Sequence, residues 1–167
     1  LNLTFDETVN SSSLIPMEIT FFASPANSSS EFYMLTMGSI IQGLYAGQVV
    51  VSVNLTNADL NEVKRRTTLA TSTSHTWISI TTLLVRDMNE NPNVPIEISQ
   101  AIQAAAVVPD TTSPQLLSFQ LDLTNEWLKL SFSETVNISS LLYMGITIQD
   151  QSFTNRRTLI GGSYLTP

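Results

Sequence analysis

The residues able to do chemistry are few and scattered. His75, in TSTSHTWISI, is the sole histidine, so a Ser-His-Asp triad or a zinc site would have to centre on it. A single histidine beside Trp77 at a strand entrance fits a surface or capping role better. There is no cysteine, which removes disulfides, thiolate metal sites and cysteine nucleophiles. Glu7 and Glu134 recur in the tripeptide ETV, and Met17 and Met144 recur with them. A catalytic carboxylate has no reason to repeat at matching sites, whereas a strand-end residue with a fold role does. Trp77 and Trp127 suit core or edge positions, although an exposed indole stacks on sugar. No Gly-rich phosphate loop is present. The expectation is that the chain is not an enzyme.

Two other patterns carry chemistry of a different kind. In RDMNENPNVP, the oxygens of Asp87, Asn89, Glu90 and Asn91 are hard ligands suited to calcium, but calcium takes about six to eight oxygens and other loops would have to contribute. Asn, Asp and Pro also favour a plain turn at this place, and that reading has the greater weight. Five N-x-S/T sequons occur, at Asn2, Asn10, Asn27, Asn54 and Asn137. Asn2 and Asn54 fall on the outward face of strands whose other face is apolar, so both can carry N-glycans without burying them. Asn10 and Asn137 occupy equivalent places in an internal repeat.

That repeat sets the organisation. LNLTFDETVNSSSLIPMEIT at Leu1 to Thr20 returns as LKLSFSETVNISSLLYMGIT at Leu128 to Thr147, with 13 of 20 positions identical and no gap. After a shorter loop the match continues from YMLTMGS at Tyr33 to Ser39 into RTLIGGS at Arg157 to Ser163. The period is 127 residues in a chain of 167.

Composition and patterning agree on a β-rich module. Hydrophobic residues make up 43% of the chain and charged residues only 13%, enough for a core under a polar, sparsely charged surface. The net charge of -7, with the basic residues mostly in Lys64-Arg65-Arg66 and Arg156-Arg157, argues against nucleic acid as a partner. No apolar run approaches the roughly 20 residues of a bilayer span, and no signal segment opens the chain.

Period-two alternation places Leu1, Leu3 and Phe5 on one face of a strand and Leu117, Phe119 and Leu121 on one face of another, in PQLLSFQLDL. Further strands are predicted over 17–22, 32–36, 48–55, 76–85 and 94–108, the last broken near Ser99. One helix is predicted in TNADLNEVKRR, capped by Thr56 or Asn57, with Asp59 and Glu62 early and Lys64, Arg65 and Arg66 late, as the helix dipole prefers. Short strands with one brief helix indicate an all-β fold of tandem Greek-key sandwich modules, one over 1–108 without its first strand and one begun at 114–167 without its last strands. A linker at 109–113 joins them, bounded by Pro109 and Pro114.

A sandwich short of a strand presents unpaired N–H and C=O groups beside apolar side chains and invites strand addition. The strand comes either from adjoining repeats of the same polypeptide or from another subunit. Head-to-tail contacts of this kind do not close and generate filaments. The runs DTTSPQLLSFQLDL, LKLSFSETVNISSL, VVVSVNLTNADLNEVKR and LLVRDMNENP resemble bacterial immunoglobulin-like repeats of surface-layer type and the wider family of large repetitive extracellular proteins that carry them. They are also similar to the protomers of pilus-like helical glycofibrils from lotus-pond water, in which an amino-terminal strand completes the immunoglobulin-like domain of another protomer. RDMNENPNVP resembles the cadherin-type linker.

The resemblance spans nearly the whole chain. It implies a structural subunit of an extracellular filament that associates with itself, glycosylated, with no cofactor beyond its sugars and a possible calcium ion. The alternative it leaves open is an adhesive or ligand-binding module of a long surface protein, rigidified by calcium. A carbohydrate-active enzyme has only scattered carboxylates behind it.

Overall fold

Along NLTFDETVN the apolar residues alternate with polar ones, and the strand β1 (Asn2–Asn10) buries Leu3 and Val9 while Asn2 and Thr4 face out. The computed structural model describes residues 1–25, 30–41 and 48–162, so Asn27 and the residues from Ser163 onward lie outside the described part. The chain divides into two compact units, Leu1–Ser113 and Pro114–Pro167.

The first unit holds two four-stranded sheets in which every pairing is antiparallel. In one, β1 lies between β5 (Gln48–Leu55) and the two-residue β7 (Arg86–Asp87), with β4 (Gly38–Ile41) beyond β5. The register sets Asn2 opposite Ser52 and Leu3 opposite Val51, then slips between Thr4 and Val9. In the other sheet, β2 (Ile19–Phe22) lies between β3 (Phe32–Met34) and β6 (Trp77–Ile80), and β8 (Ile102–Gln103) follows β6. Phe21 stands opposite both Tyr33 and Ile78.

The two sheets share one core. Val51 and Val53 enter it from the first sheet, Ile19 and Phe21 from the second, and Leu84 and Val85 close it from the connection before β7. Each such burial contributes roughly 1.5–3 kcal/mol. Among the described residues the regular structure is therefore mostly short antiparallel strands with one α-helix, an all-β fold.

Four local expectations change against the structure. The strand predicted from Met17 begins only at Ile19, because Pro16 opens a 3-10 turn over Pro16–Glu18 that the Ile19 N–H closes onto the Pro16 carbonyl. The strand predicted over 76–85 stops at Ile80, where Thr81 accepts the Leu83 N–H and donates to Glu18. The apolar Leu84 and Val85 serve the core from a turn. The segment 94–108 pairs only at Ile96 and over β8, with a 3-10 turn at Ile98–Gln100 between. The strand β4 was not expected, since glycine at its start conceals the pattern.

Unit 2 is a β9–β10 hairpin, Leu116–Asp122 with Trp127–Phe132, followed by a β11–β12 pair, Thr147–Gln149 with Arg156–Thr158. From β10 onward its elements repeat the start of unit 1, at the 127-residue offset through β11 and three residues less at β12, after the shorter loop. The 3-10 turns Ser11–Ser13 and Pro16–Glu18 return as Ile138–Ser140 and Tyr143–Gly145. Thr20 faces Met34 in β2–β3 as Thr147 faces Thr158 in β11–β12. Even the Leu35 N–H to Ile19 carbonyl bond, 3.1 Å, recurs from Leu159 to Ile146 at 3.0 Å. None of the described residues of unit 2 is buried, whereas the same elements in unit 1 close a core.

Candidate functional site

The outer edge of β1 is the feature with the most evident capacity to bind. Leu1 and Val53 form a hydrogen-bonded pair, the Leu1 amino group donating to the Val53 carbonyl at 2.9 Å and the Val53 N–H to the Leu1 carbonyl at 2.7 Å. Backbone groups alternate between edges along a strand. Leu1 and Leu3 therefore address β5, and the N–H and C=O of Asn2 and Thr4 address the opposite edge. There β7 reaches only Val9 and Asn10. Among the described residues no strand pairs with the outer edge of Asn2 to Glu7.

The apolar side chains expected to serve assembly are placed unequally. Leu3 is buried at 8% exposure, Phe5 packs partly against the core, and Leu1 remains 37% exposed. On β9, Leu117, Phe119 and Leu121 are 66%, 59% and 43% exposed. Phe119 stands opposite Leu130 and Leu121 opposite Leu128, so the apolar face of the hairpin is continuous across both strands.

The four sequons within the described residues all lie at the surface. Asn2, Asn54 and Asn137 are exposed and Asn10 is half-buried. Asn2 Oδ1 accepts from the Ser52 hydroxyl at 2.8 Å, Asn10 Oδ1 from the Ser12 N–H at 3.1 Å and Asn137 Oδ1 from the Ser139 N–H at 3.0 Å. These bonds use the oxygen, leaving the amide nitrogen, the atom a glycan would take, without a bond among the described residues.

The segment weighed for calcium is a self-contained turn. Asp87 Oδ1 accepts the N–H groups of Asn89 and Asn91, both at 2.8 Å, and Oδ2 accepts the Asn91 side-chain amide at 2.7 Å. The Asn91 amide, followed by the N–H groups, holds the Asp87 carboxyl below its ordinary pKa. Glu90 takes a left-handed backbone, φ 67°. Asp122 with Asn125 and Asp150 with Asn155 build the same device in unit 2. Among the described residues no group of three His, Cys, Asp or Glu side chains comes together around a metal-sized space. His75 sits at the surface with Nδ1 3.1 Å from the Ser72 hydroxyl, and the Trp77 indole donates to the Ser74 carbonyl at 3.1 Å.

One important residue is hidden from a linear reading. Asp59 lies in the first turn of the helix, as the dipole prefers, and it is also wholly buried. Its helix, α1 (Asn57–Arg65), is capped by Thr56, whose hydroxyl accepts the Asp59 N–H at 3.1 Å and donates to Asp59 Oδ2 at 2.9 Å. Oδ1 accepts the Tyr33 hydroxyl at 2.7 Å, the Thr36 hydroxyl at 2.7 Å and the Thr36 N–H at 3.0 Å. Burial pushes this carboxyl up, but the donors, led by the Thr36 N–H, overcome it and hold the pKa at about 2. At the other end of α1, Arg66 lies 4.6 Å over the Tyr33 ring and donates to the Phe32 carbonyl at 3.1 Å. The arrangement fastens the helix to β3. The signal for it is the spacing from Thr56 to Asp59, a capping box with aspartate in the third helical position.

A shallow apolar groove crosses the second sheet, lined by Phe22, Phe32, Met34 and Ile98 with Thr20 and Ser79. Phe22 and Phe32 stack there at 6.1 Å. No helix among the described residues is long and apolar enough to cross a membrane. No protein-family model, curated protein or solved structure matches the chain. The functional reading therefore rests on the geometry above.

Proposed function

We propose that the chain is a structural module of an extracellular filament, related to immunoglobulin-like Greek-key sandwiches, and that its copies assemble by strand complementation and carry N-linked glycans. The observation that carries this reading is the outer edge of β1 beside Leu1 and Phe5, with which no strand among the described residues pairs, in a unit whose two sheets share a common core. Unit 2 supports it: the hairpin and the β11–β12 pair carry no buried residue among those described, and two-stranded sheets are marginal alone in water. Both features favour a partner strand from outside the unit. The surface sequons at Asn2, Asn54 and Asn137 fit an extracellular setting and outward-facing sugars.

Sedimentation velocity across a hundredfold dilution series, with negative-stain electron microscopy of the same samples, tests the proposal. Elongated assemblies that persist on dilution are expected. A monodisperse monomer at every concentration would overturn it. The alternative, an adhesive module, has the groove at Phe22, Phe32, Met34 and Ile98 in its favour, and it predicts that same monomer together with binding of an apolar or sugar ligand there.

A further inference from the structure

The apolar groove on the second sheet is not something the fold requires. Its β2 and β3 walls set Phe22 opposite Phe32 and Thr20 opposite Met34. The same pairings in unit 2 set Gln149 opposite Arg156 and Thr147 opposite Thr158. Phe22, Phe32 and Met34 are thus replaced by polar residues in the other copy of the repeat, although the strand pair is the same. Phe32 and Met34 are 56% and 58% exposed, and Phe22 is buried without belonging to the core between the sheets. Apolar side chains gathered on an outer sheet face, where the strand pair tolerates polar ones, mark a surface that meets a partner.

The loop between β11 and β12 differs in the opposite sense. Its frame is Asp150, whose carboxylate accepts the Thr154 N–H at 3.1 Å and the Asn155 side-chain amide at 2.7 Å. Phe153 stands in this loop 64% exposed, with a left-handed backbone, φ 60°. Glycine or asparagine adopts that conformation at less cost, and a polar side chain suits water better, so the turn does not account for an aromatic residue there. The corresponding segment of unit 1, ASPANSSSE, holds no aromatic residue. One copy of the repeat carries an apolar groove, and the other an apolar knob.

We infer that the Phe153 loop of one copy of the chain docks on the β2–β3 groove of a second copy, with the ring against Phe22, Phe32 and Met34. This rests on the reading that copies associate, and it names a contact between them. Charge favours the same pairing. Ser79 and Ile98 line both the groove and an adjoining hollow that holds Glu97, and no basic side chain lines either. Glu97 makes no side-chain bond among the described residues, and neither does Arg156, which is exposed three residues beyond Phe153. Each copy offers one such loop and one such groove, so the contact is heterologous and propagates instead of closing a pair. A single loop covers far less than the roughly 1,200–2,000 Å² of a stable interface, so this contact adds to others and is best detected by trapping.

The absence of cysteine allows that trapping. Chains carrying Ser79→Cys, in the groove, and chains carrying Ser152→Cys, beside Phe153, are mixed in equal amounts and oxidised mildly. Disulfide-linked peptides are then quantified by mass spectrometry. A parallel mixture replaces Ser79→Cys by Ser52→Cys, a residue that is likewise half-buried but lies on the first sheet. The link from 79 to 152 is expected to be at least fivefold more abundant than the link from 52 to 152, and to fall to that level when Phe153→Ala is added to the Ser152→Cys chain. Equal yields from the two mixtures, or a yield indifferent to Phe153→Ala, overturn the assignment.

Sedimentation velocity gives a second measurement without cysteine. Phe153→Ala and Met34→Glu, both at exposed positions, are each expected to raise the concentration at which the chain assembles at least threefold, with unchanged urea midpoints showing that the variants fold. If both variants assemble as the parent does, the filament reading stands and the contact through Phe153 falls. If the unaltered chain is a monomer at all concentrations, both fall.

Discussion

Gly38 lies against Pro16 so closely that a β-carbon placed on it would stand 2.7 Å from the Pro16 β-carbon and 3.2 Å from Val53 Cγ1. The contact joins the first residue of β4 to the turn that leads into β2. In unit 2 the counterparts are Gly162 and Tyr143, where the same β-carbon would meet the ring at an ordinary 3.4 Å. A contact that recurs in the second copy of the repeat with different partners belongs to the module's path and not to one pair of side chains.

Gly38→Ala is therefore expected to destabilise unit 1 by about 2 kcal/mol, since a proline ring cannot swing aside as a flexible chain would. Gly145→Ala, which meets nothing within 4 Å, is expected to change stability by less than about 0.5 kcal/mol. Urea unfolding of the two variants followed by tryptophan fluorescence checks the contrast, and equal midpoints would remove the steric account.

Asp59 gives the fold an acid-sensitive fastening. Its carboxyl is held at about 2 in the folded chain, against 3.8 ordinarily. A depressed pKa means that the stabilisation is complete above about pH 5 and drains away as pH falls through 4 toward 2. Asp59→Asn keeps the shape but loses the charge that five donors address, the Met37 N–H at 3.3 Å being the fifth, and is expected to cost about 2–3 kcal/mol at neutral pH. Glu62 and Asp150 are also held at about 2, but by exposed hydrogen bonds, which solvent screens. The informative quantity is the gap between the parent and Asp59→Asn in urea midpoints from pH 7 to pH 2.5. That gap should shrink on acidification, and a constant gap would contradict the assignment.

How much of this was legible beforehand depended on how local each cause was. The alternation in LNLTF and LLSFQLD reads directly as β1 and β9, and Thr56 marks the start of α1. The state of Asp59 does not read directly: an acidic residue in a helix's first turn satisfies the dipole whether exposed or buried. What buries it, Tyr33 and Thr36, lies more than twenty residues away. The two-residue strands β7 and β8 have no period to detect. Which edge of β1 faces away from β5 follows from the pairing with Val51 and Val53 across fifty residues, information that no single stretch carries.

Asp87 leads to a prediction about calcium. Both of its oxygens accept hydrogen bonds from Asn89 and Asn91, so an ion would have to displace bonds already made. Adding calcium to a few millimolar is expected to leave the melting temperature unchanged. Asp87→Ala is expected to lower the melting temperature slightly, and equally in chelator and in calcium. A rise in melting temperature with calcium, lost in Asp87→Ala, would instead establish the ion at this loop.

The sequons separate into those whose side chains hold structure and those that do not. Asn10 and Asn137 cap 3-10 turns through Oδ1, whereas Asn54 is exposed on β5 and makes no side-chain bond among the described residues. Asn10→Ala is thus expected to cost roughly 0.5–1 kcal/mol, in the range of lost helix caps, and Asn54→Gln nearly nothing. In a secretory host that attaches N-glycans, Asn54→Gln is expected to reduce the intact mass by one glycan with no change in melting of the deglycosylated chain. Because Asn2 points off the sheet face while the open edge is formed by backbone groups, a glycan there is expected to leave assembly intact. Comparing the assembly of glycosylated and enzymatically deglycosylated chains by sedimentation decides this. Assembly that appears only after sugar removal would mean that the Asn2 face, and not only the β1 edge, meets the neighbouring copy.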